Sequence, residues 1–259
     1  MPVLRDDTNR VMHVTKRFFM IPVFFATLKL TERKKESEDI YMRKNGKKEI
    51  VSGSVWTAVF AVWTVLIQVV DVQPSGQNGT DIGFAAFNCW FHNLTGVNMT
   101  IYTITDWLGL VPLFVCISFA VLGLVQLIQR KSLFKVDKDI IILGIYYIVV
   151  ISAYLIFEVI PINYRPVLIE GVMEASYPSS TVLLVLCVMP TLTEQMNRRI
   201  MNHGVKKVIG ILTILFSGYM VIGRLISGVH WFTDIAGSVF LSAGLFFFYK
   251  GIVLMSNKY

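Results

Sequence analysis

Apolar positions in this chain are gathered into long runs; they do not alternate with polar ones as in a half-buried strand. The runs fall at 51–70, 107–128, 140–157, 179–192, 208–222 and 233–254. Most approach the ~20 residues that a helix needs to cross the hydrocarbon of a bilayer. The pattern predicts an all-α, polytopic membrane protein of six transmembrane helices preceded by an N-terminal segment. Polar stretches separate the runs. One of them, 71–106, is rich in Asn, Gly and Thr but also carries Phe84, Phe87, Trp90 and Phe91. A connection of that length is expected to be functional or partly structured, with its aromatics packed on the bilayer or the helix tops.

The N-terminal segment has a different pattern. Phe18, Phe19, Met20, Ile21, Val23, Phe24 and Phe25 form a short apolar patch flanked by Lys16, Arg17, Lys29 and Arg33. It is too short to span and reads as an interfacial helix lying on the inner leaflet. Residues 33–48 are charged and read as a solvated linker. The chain therefore divides into a basic cytoplasmic segment, 1–50, and a six-helix membrane domain, 51–259.

Composition agrees with the runs. Of 259 residues 54% are hydrophobic and 16% charged, which excludes an ordinary soluble domain. The formal net charge of +7 is not a nucleic-acid signal, because its distribution follows the spans: twelve of the 24 Lys and Arg precede residue 51, and none lies between Lys48 and Arg130. The rest cluster chiefly at 130–138, 198–207 and the tail. The positive-inside rule places these segments and both termini in the cytoplasm, and turns the loops at 71–106, 158–178 and 223–232 outward. The compact loops fit a bacterial plasma membrane. Cys89, Cys116 and Cys187 have no paired or metal-binding spacing and read as small buried or unpaired residues. The spans lack rings of charge, so a channel is not indicated.

Candidate chemistry gathers on the outward side. In the stretch GRLISGVHWFTDIA, Arg224, His230 and Asp234 stand inside apolar sequence. Ionisable residues beside membrane helices mark function. His230 and Asp234 are four apart, which stacks them on one face if a helix begins there. An aspartate on one ring nitrogen would leave the other free to attack or to take a proton, and Arg224 offers a planar fork for phosphate oxygens. The 158–178 loop adds Arg165-Pro166, and Pro178-Ser179-Ser180 opens the fourth helix, where free N–H groups favour an anion. Together these describe a phosphate site with a nucleophile in it.

These segments resemble the three motifs of the type-2 phosphatidic acid phosphatase superfamily: Lys-x6-Arg-Pro, Pro-Ser-Gly-His and Ser-Arg-x5-His-x3-Asp. Arg165-Pro166 matches the end of the first, Pro178-Ser179 the start of the second, and Arg224, His230 and Asp234 the third, with Gly223 in place of Ser. The similarity covers roughly residues 50–255. It implies a lipid phosphatase or diphosphatase that needs neither metal nor cofactor, acting on a lipid phosphate or polyprenyl diphosphate. His230 would attack phosphorus to give a phosphohistidine, Asp234 would orient it, and Arg165, Arg224, Ser179 and Ser180 would hold the phosphoryl oxygens.

Two positions depart from the family. Glu158 stands where the family lysine falls, and Thr181 where its second-motif histidine falls. That histidine protonates the leaving group, a role worth about 10²–10⁴ in rate. The departing phosphate of a diphosphate needs that proton less than an alkoxide does, which favours a polyprenyl diphosphate over phosphatidic acid. His92 is a candidate substitute acid, with Asp106 and Glu158 behind it. The competing expectations are a catalytically weakened member that binds a phospholipid headgroup, and a transferase that passes the phosphoryl or headgroup to another lipid.

Overall fold

The computed structural model describes the backbone of residues 7–256 and the side chains of residues 32–256. Regular structure there is helical, apart from two 3-10 turns and isolated β-bridges. The helices are α1 (Asp7–Val69), α2 (Ala85–Thr95), α3 (Met99–Leu108), α4 (Leu110–Arg130), α5 (Lys138–Val159), α6 (Ser180–Arg199), α7 (His203–Ile226) and α8 (Phe232–Ser256). Among the described residues, five segments are long and apolar enough to cross a membrane: Glu32–Val69, Met99–Arg130, Lys138–Val159, His203–Ile226 and Phe232–Ser256. The fold is thus all-α and of polytopic membrane type.

The count of five differs from the six apolar runs because of α6. That helix is 20 residues long but carries Thr191, Thr193, Glu194 and Gln195 below Pro190. It is packed among α4, α5, α7 and α8, and three of those four polar side chains find partners on neighbouring helices. Thr191 bonds the Tyr147 hydroxyl at 2.8 Å, Gln195 donates to the Tyr249 hydroxyl at 2.8 Å, and Thr193 meets Thr213 at 2.8 Å. A helix enclosed by helices needs no lipid-like exterior, and hydropathy alone undervalues it.

Glycines set the seam between α1 and α8. A Cβ at Gly46 would lie 3.0 Å from the Gly251 carbonyl, and one at Gly244 would lie 2.5 Å from Thr57 Oγ1 and 3.4 Å from the Gly53 carbonyl. Gly46 faces Gly251 and Gly53 faces Gly244, so the helices run antiparallel, backbone against backbone. Small residues at this spacing are how helices associate where lipid removes the hydrophobic drive.

Two expectations change in detail, and a third lies outside the described residues. Residues 33–48, expected as a solvated linker, continue α1 as a mostly exposed helix in which Gly46 is buried against Gly251. The interfacial helix expected at 18–28 rests on side chains outside the described residues. The loop expected at 223–232 shrinks to 227–231, because α7 runs on to Ile226 and carries Arg224 in its last turn. The polar stretch 71–106 is mostly structured: α2 is tied to the start of α8 by Asn88, which donates to Thr233 Oγ1 at 3.0 Å, and α3 leads into α4 through Gly109.

Candidate active site

The loop between α5 and α6 folds back on itself, with bridges Tyr164↔Ala175 and Ile169↔Val172. This brings Asn163, Arg165 and Ser176 against the short α7–α8 turn. Tyr177 anchors the loop: its ring stacks 6.1 Å from Phe60, and its hydroxyl meets Thr64 at 2.7 Å. At Gly237 of α8 the Tyr177 ring lies where a Cβ would be, so only glycine admits it.

His230 sits in the turn and is 4% exposed. Its Nδ1 lies 3.1 Å from the Ser176 carbonyl, which can only accept, so Nδ1 carries the proton. Nε2 is then the lone-pair nitrogen and accepts from the Ser179 hydroxyl at 3.2 Å. Burial, and after it the positive charges of Arg165 and Arg224, hold His230 neutral, well below the ordinary imidazole range.

Asp234 does not bond the ring. Its Oδ2 is 3.9 Å from Nδ1, and the aspartate instead gathers donors from the two loops. Oδ2 accepts from Ser176 Oγ at 2.7 Å and the Trp231 N–H at 2.9 Å, and Oδ1 accepts from Asn163 Nδ2 at 3.1 Å. The expected i,i+4 stacking fails because α8 begins at Phe232, after His230. Asp234 therefore fixes the residues that flank the imidazole: Ser176, whose carbonyl holds Nδ1, and Trp231, the next residue.

Both arginines lie over the Tyr102 ring, their Cζ atoms 5.9 Å (Arg165) and 4.8 Å (Arg224) from its centroid. Arg224, 1% exposed, donates through Nη2 to Asp106 Oδ1 and Thr181 Oγ1, both at 2.7 Å. Arg165 Nε lies 3.0 Å from Glu174 Oε2, close enough for an ion pair but not aligned as a hydrogen bond. Nε and Nη1 of both arginines are buried without a hydrogen-bond acceptor. Buried guanidinium donors without acceptors are costly, and an anion between α6 and the loops would satisfy them.

Ser179 caps α6 by position, but its hydroxyl is turned to His230, so the first-turn N–H groups have no side-chain cap. Ser180 opens the helix and lines a polar cavity of about 190 Å³ with Tyr154, Glu158, Arg165, Glu174 and His230. A second cavity of about 430 Å³ shares Tyr154 and Ser180 with it and is walled by Leu110, Leu113, Val150, Ile151, Leu183 and Leu184. His92 is set apart: it lies on α2 with its ring 5.5 Å from Trp231, is held below its usual range by burial, and is absent from the lining of the polar cavity. Among the described residues no three His, Cys, Asp or Glu side chains cluster as metal ligands.

Sequence reasoning did not find Ser176, Glu174 or Tyr102. Asn163 and Ser176 stand close in sequence to Arg165 and Ser179, the only signal they carry. Nothing in the sequence pairs Glu174 with Arg165; the hairpin does.

Fold and site together define a membrane-embedded helical protein with a buried histidine between two arginines. The PAP2 superfamily matches residues 115–258, more than half of the chain, and the chain belongs to that superfamily, with its general membrane lipid-phosphatase-like function. The solved structure described as the first transmembrane PAP2 type phosphatidylglycerolphosphate phosphatase from Bacillus subtilis is similar in fold. It has a TM-score of 0.57 and 17% identity, over 80% of this chain and 98% of that one. No curated protein matches the chain.

Proposed function

We propose that this protein is a lipid phosphatase or diphosphatase of the outer face of a bacterial plasma membrane, working through a phosphohistidine without metal. One observation carries the reading: the His230 tautomer is set by the Ser176 carbonyl, which leaves Nε2 with its lone pair at a cavity shared with Arg165. Nε2 attacks phosphorus as the bond to the leaving oxygen breaks, and water later cleaves the N–P bond. Arg165, Arg224 and the N–H groups opening α6 bind the phosphoryl oxygens. Ser179 releases Nε2 and turns to the same oxygens, while Ser180 lines their cavity. Asp234 acts through Ser176 and Trp231, and its charge favours the ring once phosphorylated. The apolar cavity beside Ser180 takes a lipid chain.

Thr181 bonds Arg224 and supplies no acid, so substrates whose leaving group departs without a proton from the enzyme are preferred. The polyprenyl phosphate that departs when the terminal phosphorus of a polyprenyl diphosphate is attacked meets that condition. In the proposed architecture α6 is the fourth of six spanning helices, residues 51–259 form the membrane domain, residues 1–50 are a cytoplasmic basic segment, and both termini are cytoplasmic. A second reading, a weakened member that binds or transfers a phospholipid headgroup, draws support from the carboxylates Asp106 and Glu174, which hold the arginines.

Phosphate release by detergent-purified protein from a polyprenyl diphosphate and from phosphatidic acid, without added metal, tests the function. Release that vanishes in His230→Ala, with an acid-labile phosphoprotein trapped in the wild type, is the expected result. No release from either lipid by folded protein would sink it in favour of headgroup binding.

A further inference from the structure

The charges that line the site do not suit a polyanion. Each arginine already faces a carboxylate, Arg165 with Glu174 and Arg224 with Asp106, and Glu158 remains. Among the described residues Glu158 forms no ion pair, and it lines the same cavity of about 190 Å³ as Arg165 and His230. It occupies the last turn of α5, where the related motif has a lysine, so one wall of the cavity has reversed its charge. A phosphate entering toward Arg165 and His230 must place its other substituents near that wall. A second negative phosphate would meet Glu158, whereas a cation would pair with it.

We propose that the polar cavity selects a lipid phosphate whose headgroup carries an ammonium group beside the phosphate ester, with Glu158 as the ammonium-binding residue. The proposal rests on the phosphatase reading of His230 and replaces the diphosphate preference, which followed from Thr181 alone, with a substrate that also suits Glu158. It also accounts for Thr181. An ammonium two carbons from the ester oxygen lowers the basicity of that oxygen and can give it a proton as the P–O bond breaks. The products of that step are phosphohistidine and a neutral amino alcohol, which regains its proton from water. The acid that the enzyme lacks is thereby carried by the substrate.

Two measurements on the full chain separate this proposal from the reading beneath it. The first is binding of two non-hydrolysable lipid phosphonates to wild-type protein, identical except that one bears the ammonium and the other an N-acetyl group. Because Glu158 is exposed, tighter binding of the ammonium form by about two- to fivefold, lost in Glu158→Gln and reversed in Glu158→Lys, is expected. Equal affinities, or a preference that survives Glu158→Gln, would overturn the ammonium site. The second is turnover of the matching phosphate esters. Hydrolysis of both at equal kcat/KM would overturn the proposal and keep the phosphatase. Ammonium-selective binding with no turnover of either would keep the ammonium site and overturn the phosphatase.

Discussion

Asp234→Asn and Asp234→Ala separate two roles of one carboxylate. Asp234 is fully buried, and all its partners can donate: Asn163 Nδ2, Ser176 Oγ and the Trp231 N–H. Alanine strands the Trp231 N–H and the Asn163 amide, while the Ser176 hydroxyl can rotate away. At about 1–3 kcal/mol for each buried donor left unpaired, the loss is about 2–6 kcal/mol, a large share of a typical fold's stability. Asparagine is different. Its oxygen can keep the Trp231 and Ser176 bonds, and its NH2 can meet Asn163 once that amide turns over, so less than about 1.5 kcal/mol is lost. Asparagine nonetheless removes the charge that lies 3.9 Å from Nδ1. At an effective dielectric near 20 that charge attracts a cationic ring by about 4 kcal/mol, and a partly charged transition state feels about 2–4. The Asn variant should unfold close to the wild type yet turn over about thirty- to a thousandfold more slowly. Thermal midpoints and phosphate release on the same detergent-purified samples measure both. Wild-type kcat in Asp234→Asn would refute the electrostatic role, and an unchanged midpoint in Asp234→Ala would refute the clamp.

Other outcomes follow from the same geometry. Since burial holds His230 neutral in the folded protein, the unfolded chain takes up a proton below its ordinary value near ~6.5 that the folded chain refuses. Folding stability is therefore lost as pH falls below that value, by up to about 1.4 kcal/mol per pH unit relative to His230→Asn; thermal midpoints of both proteins that run parallel from pH 7 to 5 would refute this. Gly244→Val should cost about 1–3 kcal/mol by forcing α1 from α8, against little change for Gly144→Ala, where a Cβ meets nothing within 4 Å; equal midpoints for the two would remove the glycine seam. Arg165→Lys should lower kcat/KM by about tenfold or more, because an ammonium cannot replace a fork with two unpaired buried nitrogens; near-wild-type kinetics would take Arg165 out of phosphate binding. Thr181→His should raise the rate on simple phosphomonoesters by about 10²-fold while changing diphosphate hydrolysis less; a uniform change in both would undo the leaving-group argument.

Much of this was legible in the sequence, and the parts that were not share a cause. Apolar runs located every long helix because bilayer thickness sets a common length for spans, but they missed that α1 begins at Asp7 and that α6 runs on to Arg199. The same criterion misjudged α6, whose surroundings are other helices: Thr191 and Gln195 look foreign to a membrane only until Tyr147 and Tyr249 are placed against them. Motif spacing brought His230, Arg224 and Arg165 together, yet it supplied the wrong link between His230 and Asp234. Four residues of spacing implies a stacked pair on a helix, and the turn at 227–231 breaks that register, so the aspartate reaches the imidazole through Ser176 and Trp231. The glycines at 46, 53, 244 and 251 recur seven apart on two segments and could have been paired from sequence. Glu174 could not, since its contact with Arg165 depends on how the α5–α6 loop folds back. The charge of the site follows from such contacts. A list of motif residues contains two arginines and a histidine and reads as cationic; once Asp106, Glu174 and Glu158 are in place, the site no longer favours the most anionic lipid. Departures at positions 158 and 181, read alone, look like decay, but a wall that attracts a cation and a missing acid are also what a substrate carrying its own acid would require.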